Sequence, residues 1–590
     1  MPPWRQCLGR RSNKGADPGR GKLPGVKRLR LSILLTAFLL LTFWIRLREH
    51  NSFQVEFDQA MVQQFLWLMS HGFSPIGTLS EGHAFGDHFD PILYIFSIPF
   101  RWAGGFGVYL FLHLATLAVC GSAIYKIAEK RLGSEVQALV CTGAFLFSPL
   151  TLGAALYPLP HVALGLACFL WVIALDCEPR ALAVGLLIAA MSVEMSLLPF
   201  AGLGLYLIWD GRRKTGVLLF GVTVLLMLFL TQVVTPSFGA EAAHDGLDRQ
   251  MSRYSHYRAP LGVALERLGT HVSGYWSMDR VLLGQMLLGT GGLALLGLEA
   301  WILFLPGLAV NLLADFWGMH SVFLHYQATV VGGLYFAAIL GMKRLSEDKR
   351  KYGVGALVVG TVLALWLGNP LSQRIGLPTE RVLHYQSALS QIGPTDSVIA
   401  PPSAISHLAL RKEIFSFPSL KQAASWADSP AKQAGVDWIL VDLPGIGFPT
   451  QRNLLNLKLL EMLQDPAYGF HSVHGTLILL RRDGGKPIPE GLLKAIKPYA
   501  VEEKVDALTT AGLPSEALKL LGQQFGEKPP RADLLYLKGR ALEELERFEE
   551  AREVYRAALE LQPDPQLKSF LEGRLQTDLT RWTPRFQPKL

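Results

Sequence analysis

Cysteine and charge are the scarce ingredients of this sequence. The five cysteines, Cys7, Cys120, Cys141, Cys168 and Cys177, all fall in the first third of the chain, so no disulfide framework supports the rest and no CxxC pair offers a metal site. Charged residues are 18% of the chain, hydrophobic ones 50%, and mean hydropathy is +0.27. That is too apolar for a soluble protein of this length and fits a membrane protein with an appended soluble part. Acids are nearly absent from the N-terminus, where Asp17 stands alone among Arg5, Arg10, Arg11, Lys14, Arg20, Lys22, Lys27, Arg28 and Arg30. The net charge of +8 owes much to this stretch and reads as a topology signal, with no nucleic acid partner.

What is present divides the chain. Residues 1–30 are expected to be a disordered cytoplasmic tail, and residues 31–45 an uncleaved first helix, because no small-x-small site follows. Residues 31–369 alternate apolar runs with short polar connectors, which predicts a mainly α fold, a polytopic transmembrane bundle of about 11 helices. Short cytoplasmic loops collect Lys and Arg. By that rule the turns at 126–131, 176–180, 212–214 and 343–351 lie inside. The first outer loop 46–104, His161, Glu194, a long polar loop at 235–280 and the connector ending at His325 and Tyr326 then lie outside, with spans at 281–298 and 301–313 between the last two. Arg46 and Arg48, just after the first helix, are the exception. The expected location is the inner (plasma) membrane, with a cytoplasmic N-terminus and extracytoplasmic C-terminal domains.

The densest polar chemistry near the membrane is the stretch 57–91, FDQAMVQQFLWLMSHGFSPIGTLSEGHAFGDHFDP, with Asp58, Asp87, Asp90, His71, His83 and His88. Polar groups at membrane depth tend to mark function. Asp58, Asp87, His88, His161, Glu194, Arg253, His325 and Tyr326 share the outer side, and it is the shared side that suggests one site there, since an outer-loop Asp or His alone is usually just solvated. The Gly86-Asp87-His88 turn is either fixed by an Asx hydrogen bond or a place for a divalent cation, Mg or Mn, on Asp87 and His88. Glu194 lines a cavity or caps the next helix. Phe65, Leu66, Trp67 and Leu68 form an apolar ridge, read as a helix in the headgroup layer or, more sharply, as a lipid-substrate groove.

FDQAMVQQFLWLMSHG followed by GDHFDPILYIFSIPF resembles the opening of a bacterial membrane-protein family known as domain of unknown function 2079, whose members read FDQALWNLAHG and then GDHFSPILLLLAPLY. Further resemblances follow in order: His161, Glu194 in MSVEMS, the run Arg253, Tyr254, Ser255, then Leu305-Pro306, and His325-Tyr326. Beyond the membrane, SVIAPPSAISHLALRKEIFSFP and DWILVDL also resemble the family. One departure stands out. The family usually carries a further Asp-Leu-Gly just before FDQ, and here Phe53, Gln54, Val55 and Glu56 take its place. If that Asp is the family's catalytic acid, either Glu56 has replaced it or this member is altered.

The family is similar in layout to the GT-C glycosyltransferases, multi-span enzymes that use polyprenyl-phosphate-linked sugars and carry an acid in the first outer loop. The resemblance implies sugar transfer to an extracytoplasmic acceptor. An inverting transfer needs one base, for which Asp58 and Asp87 are the candidates, with His88 beside Asp87. The leaving lipid phosphate needs cations, from Arg253, His325, His88 or His161, and His161, Glu194, Arg253, Tyr254, His325 and Tyr326 are the expected substrate contacts.

Residues 370–486 alternate apolar strands (SVIAP, DWILVDL, TLILLRR) with helical stretches such as SLKQAASWA and are expected to form an extracytoplasmic α/β domain. No Gly-rich phosphate fingerprint occurs there, which favours a structural or acceptor-guiding role. Residues 497–579 repeat, with Ala517 and Ala551 34 residues apart, as are Pro529 and Pro563. DLLYLKGRALEELERFEEAREVYRAALELQPDP resembles a tetratricopeptide repeat, with Gly539, Ala551 and Ala558 where its helices must approach closely. Such repeats imply a protein partner. Two other readings stay open, a non-catalytic membrane scaffold presenting the repeats outside, and a transporter, against which the gathering of charge at one face argues.

Overall fold

The structure, a computed structural model, describes residues 24–54, 57–238, 253–257, 260–368, 370, 379–417, 426, 429–442, 461–489, 505–506, 508–509, 513–526, 531–563 and 565–576. Most of the basic tail, Glu56 and the SLKQAAS stretch lie outside the described residues. Residues 24–30, expected in the tail, are instead the first turns of α1 (Pro24–Asn51), because Lys27 and Arg30 find Glu129 and Glu135 at 3.4 Å each.

The membrane part is a helical bundle. Four helices are long and apolar enough to cross a bilayer, Lys27–Asn51 within α1, Phe106–Leu132, Arg213–Phe238 and Glu347–Leu367, and Glu135–Leu146 with Pro149–Leu156 forms a bent pair that adds a fifth. Pro160–Ala174, Pro179–Ala190 and Glu194–Trp209 are shorter apolar helices packed among them. The basic turns meet at one end. Asp176 takes ion pairs from Lys130 and Arg131, its carbonyl accepts from Arg212 at 3.0 Å, and Arg350 donates to the Leu132 carbonyl at 3.3 Å. Arg46, the exception to the charge rule, is buried, paired with Glu49 and donating to Gln59 Oε1 at 2.9 Å, so it serves packing rather than topology.

Two expectations change. The polar loop at 235–280 gives way from residue 261 onward to the helix Leu261–Gly289, so the expected span at 281–298 ends early and short 3-10 turns follow it. The ridge helix α2 (Phe57–Ser70) is not a headgroup-layer helix. Phe65, Leu66 and Leu68 are buried because α2 packs against both Leu93–Phe100 and Pro402–Leu408.

Past the membrane, after the short hairpin β1 (Ile76–Gly77) and β2 (Gly82–His83), come β3 (Val398–Ala400), β4 (Ile414–Ser416), β5 (Trp438–Asp442), β6 (Tyr468–His474) and β7 (Leu477–Arg482). The last five form one sheet in the order β4-β3-β5-β7-β6, with β4, β3 and β5 parallel and β7 antiparallel to both its neighbours. β3 and β5 are buried throughout, which is why they read as unbroken apolar runs. This domain is seated on the membrane part. Rings of Phe106, His50, His407, Phe53 and Tyr385 stack in sequence at 3.9, 3.9, 4.1 and 4.7 Å, and His407 Nε2 bonds the His50 carbonyl at 2.9 Å. Gln64 of α2 donates to the Lys412 carbonyl at 3.1 Å.

The helices Pro514–Phe525, Ala532–Glu544, Phe548–Glu560 and Pro565–Gln576 make up the C-terminal repeat region. A Cβ on Gly539 would stand 2.3 Å from the Tyr555 ring, and Ala551 and Ala558 are buried, so the small residues sit where the helices close on each other.

Candidate functional site

At the end of the bundle away from the basic turns lies a cavity of about 610 Å³. Its lining includes Asp58, Asp87, His88, His161, Arg253, Tyr254, His325 and Tyr326, contributed by segments that span more than half of the membrane part's sequence. Local chemistry explains each placement. His83 Nδ1 accepts from the Phe85 amide at 3.1 Å and caps the short helix Ala84–Asp87, which delivers Asp87 and then His88 in extended backbone. Pro91 keeps Asp90 out of helix. The Ile92 amide bonds the Met191 carbonyl at 3.0 Å, and this tie brings His88 to Glu194.

His88 Nδ1 lies 2.7 Å from Glu194 Oε1. Burial alone would push this imidazole down, but the carboxylates of Glu194, Asp87 and Asp90 outweigh it and carry it up to about 9, so it is an imidazolium at neutral pH. Glu194, expected to line the cavity, stands directly behind this charge. Asp90 is 5% exposed, and burial drives its carboxyl well above the usual carboxylate range against the pull of His88. His161 Nε2 is 4.0 Å from Asp90 Oδ2, while Asp90 Oδ1, Glu194 Oε2, His161 Nδ1 and His325 Nδ1 are buried without a hydrogen-bond partner among the described residues.

Asp58 accepts a hydrogen bond from the Tyr157 hydroxyl, which burial and this carboxylate hold well above its ordinary range. Tyr157 in turn stacks on His325 at 5.4 Å. The approach is possible because Gly153 has no side chain: a Cβ there would stand 1.7 Å from the Val322 carbonyl oxygen. His325 is pushed well below its ordinary value by burial and by His161 and His88, so it is a neutral imidazole rather than the cation expected from sequence.

Arg253 is a further cation lining the cavity. Its guanidinium lies 4.6 Å from the Phe316 ring centroid and 5.4 Å from that of Tyr326, with Met319 Sδ at 3.7 Å from Nη1. Among the described residues no carboxylate pairs with it. Tyr254 donates to the Val310 carbonyl at 3.0 Å, and Asn311 donates to the Tyr326 carbonyl and to Gln327 Oε1 at 3.2 Å each, fixing the His325-Tyr326 turn. Met61, Val62, Phe65, Leu159, Val162 and Leu166 give the cavity an apolar side.

Sequence reasoning counted Asp90 among the polar residues of the first loop but gave it no role, and it passed over Tyr157, Asn311 and Asp315. Asp90 had a signal, a carboxylate two residues after His88 and before a proline, and Tyr157 sits in the same Tyr-Pro-Leu-Pro-His turn as His161. For the divalent cation expected at Asp87 and His88, no group of three His, Cys, Asp or Glu among the described residues is placed as a ligand set, so no step is routed through a metal.

Residues 49–472 match the family described as Predicted membrane protein (DUF2079), and residues 508–572 match a tetratricopeptide repeat. No curated protein matches the chain. Among solved structures, ArnT from Cupriavidus metallidurans bound to undecaprenyl phosphate is similar over 76% of this chain and 97% of its own, at 12% identity and a TM-score of 0.45. The same protein in the apo state is similar over 79% of this chain and 99% of its own, at 10% identity and a TM-score of 0.42. With most of its length inside the first match, and the GDHF turn, His161, Glu194 and Arg253 all within it, this chain belongs to the DUF2079 family of membrane proteins and carries a C-terminal tetratricopeptide repeat.

Proposed function

We propose that this protein is an integral membrane glycosyltransferase that moves a sugar from a polyprenyl-phosphate-linked donor to an acceptor hydroxyl on the extracytoplasmic side. The observation that carries the reading is the cavity itself, where desolvated carboxylates, an imidazolium and an arginine without a carboxylate partner among the described residues share one space with an apolar wall. The apolar wall suits an isoprenoid chain, and Arg253 with the His88 imidazolium suits its phosphate.

In the reaction, the acceptor oxygen attacks the anomeric carbon and its proton passes to a carboxylate. The bond from that carbon to the phosphate oxygen breaks, and the electron pair leaves with the lipid phosphate. One displacement needs one base. Asp90 is the best placed, because it lines the cavity, its buried Oδ1 has no partner among the described residues, and burial raises its proton affinity above that of an ordinary carboxylate. Asp58 and Asp87 then orient the acceptor and the donor head. Glu194 holds His88, while His161, Tyr254, His325 and Tyr326 complete the polar lining. The basic turns gathered at the far end support a cytoplasmic N-terminus and an outward-facing cavity, with the α/β domain and repeats outside and the repeats free for a protein partner.

The test is envelope glycan composition by mass spectrometry in a deletion host complemented with wild-type, D90N or R253A protein. Glycan loss restored by wild type alone supports the reading, and glycans that never change refute it. A second reading, a scaffold without chemistry, draws on one observation. Phe53, one of the four residues standing in place of the family's early Asp-Leu-Gly, is buried at φ +54° and stacks between His407 and Tyr385, so that stretch helps to anchor the α/β domain.

A further inference from the structure

A second buried polar cluster lies outside the cavity, on the helix Leu261–Gly289. His271, Tyr275 and Asp279 recur every four residues and so share one face. They are 0%, 0% and 6% exposed, whereas Leu261, Leu265 and Trp276 on other faces are 76%, 59% and 54% exposed. The helix turns its apolar side outward and its titratable side into the protein, the arrangement expected when the surroundings are lipid.

Each of the three side chains holds a different point of the segment 312–320. His271 Nε2 bonds the Leu312 carbonyl at 2.8 Å, the Tyr275 hydroxyl donates to Asp315 Oδ1 at 2.9 Å, and Asp279 Oδ1 meets His320 Nδ1 at 2.6 Å. The other nitrogen of His320 meets the Ala314 carbonyl at 2.7 Å, and the Tyr275 ring lies flat on the imidazole at 3.9 Å and 8°. Both ring nitrogens of His320 therefore face oxygen acceptors, the buried Asp279 side chain on one side and a backbone carbonyl on the other. Such a pair is poorly explained by stability alone, since a well-packed apolar replacement is often no worse.

The segment it fixes is the backing of Arg253. The Asp315 amide donates to the Arg253 carbonyl at 2.8 Å, and Phe316 and Met319 supply the ring and the sulfur against the guanidinium. We propose that Asp279 and His320 are positioning residues that set Arg253 to receive the phosphate of a polyprenyl phosphate. The inference rests on the reading of the cavity given above. Loss of the pair lets segment 312–320 shift, and the guanidinium loses its aim while the fold persists.

The test is binding of farnesyl phosphate, a short polyprenyl phosphate, to the full chain in nanodiscs. D279N and H320Q are expected to bind about tenfold more weakly, the scale of one displaced charged hydrogen bond, and D279E to recover most of the affinity. In an R253A background D279N should weaken binding no further, since both changes remove one interaction. Because single changes leave a buried polar partner unsatisfied, the volume-matched D279L/H320M variant serves as a second test, folding as wild type but binding weakly. If D279N or folded D279L/H320M binds like wild type, or if D279N and R253A are additive, while R253A alone loses binding, this inference fails and the cavity reading stands. If wild type does not bind farnesyl phosphate, both fail.

Discussion

Glu194 and His88 are 106 positions apart in sequence and 2.7 Å apart between Oε1 and Nδ1. A single turn, Glu194–Leu197, thus fixes the charge state of a residue in the first long connector. Because the folded imidazole titrates near 9 rather than 6.5, its stabilising charge is fully present below pH 6.5 and is lost as pH rises through about 9. The wild-type melting temperature in detergent should fall over that interval. In E194Q the fall should be smaller and centred at lower pH, and identical curves for the two proteins would show that Glu194 does not hold the proton.

The three carboxylates Asp58, Asp87 and Asp90 should separate by function. D90N is expected to lower sugar transfer by roughly two orders of magnitude, the usual scale for removing a general base, while farnesyl phosphate binding persists. D58N should cost less, because it loses only the acceptor of the Tyr157 hydroxyl. Transfer measured in membranes from complemented cells decides the order, and an intact D90N beside a dead D58N would move the base to the other acid.

Arg253 should be irreplaceable by lysine. R253A is expected to lose polyprenyl phosphate binding by about tenfold or more, and R253K to recover only part of it, since an ammonium cannot spread over the Phe316 and Tyr326 rings while presenting a planar fork to phosphate. Native mass spectrometry with undecaprenyl phosphate reads both, and equal retention by lysine and arginine would reduce this residue to a point charge.

In the repeats, G539A should destabilise by about 1–3 kcal/mol, because the added methyl meets the Tyr555 ring. Hydrogen exchange should quicken in residues 532–560 and stay unchanged in the membrane helices. Unaltered exchange would mean that the ring has room to retreat.

Much of the site was legible because polar residues are conspicuous in apolar sequence. Asp87, His88, His161, Glu194, Arg253 and His325 could each be singled out from their surroundings, and the basic turns sorted them to one end. The helix Leu261–Gly289 was not legible for the same reason inverted. Glu266, Arg267, Asp279 and Arg280 lower its hydropathy, so it reads as a loop, and only the fold reveals that Asp279 and His271 face inward. Asp90 was overshadowed by the Gly-Asp-His turn beside it, and its burial depends on contacts with distant segments. The neutral state of His325 was equally out of reach, since it comes from desolvation and two imidazoles brought close by folding.

The column of rings from Phe106 to Tyr385 has a mechanical meaning. It passes through Phe53, a few residues before the first turn of α2, and α2 carries Asp58. Any torque or tension applied to the α/β domain is therefore delivered to the base of that helix, so the sheet domain and the acid on the cavity wall are mechanically coupled.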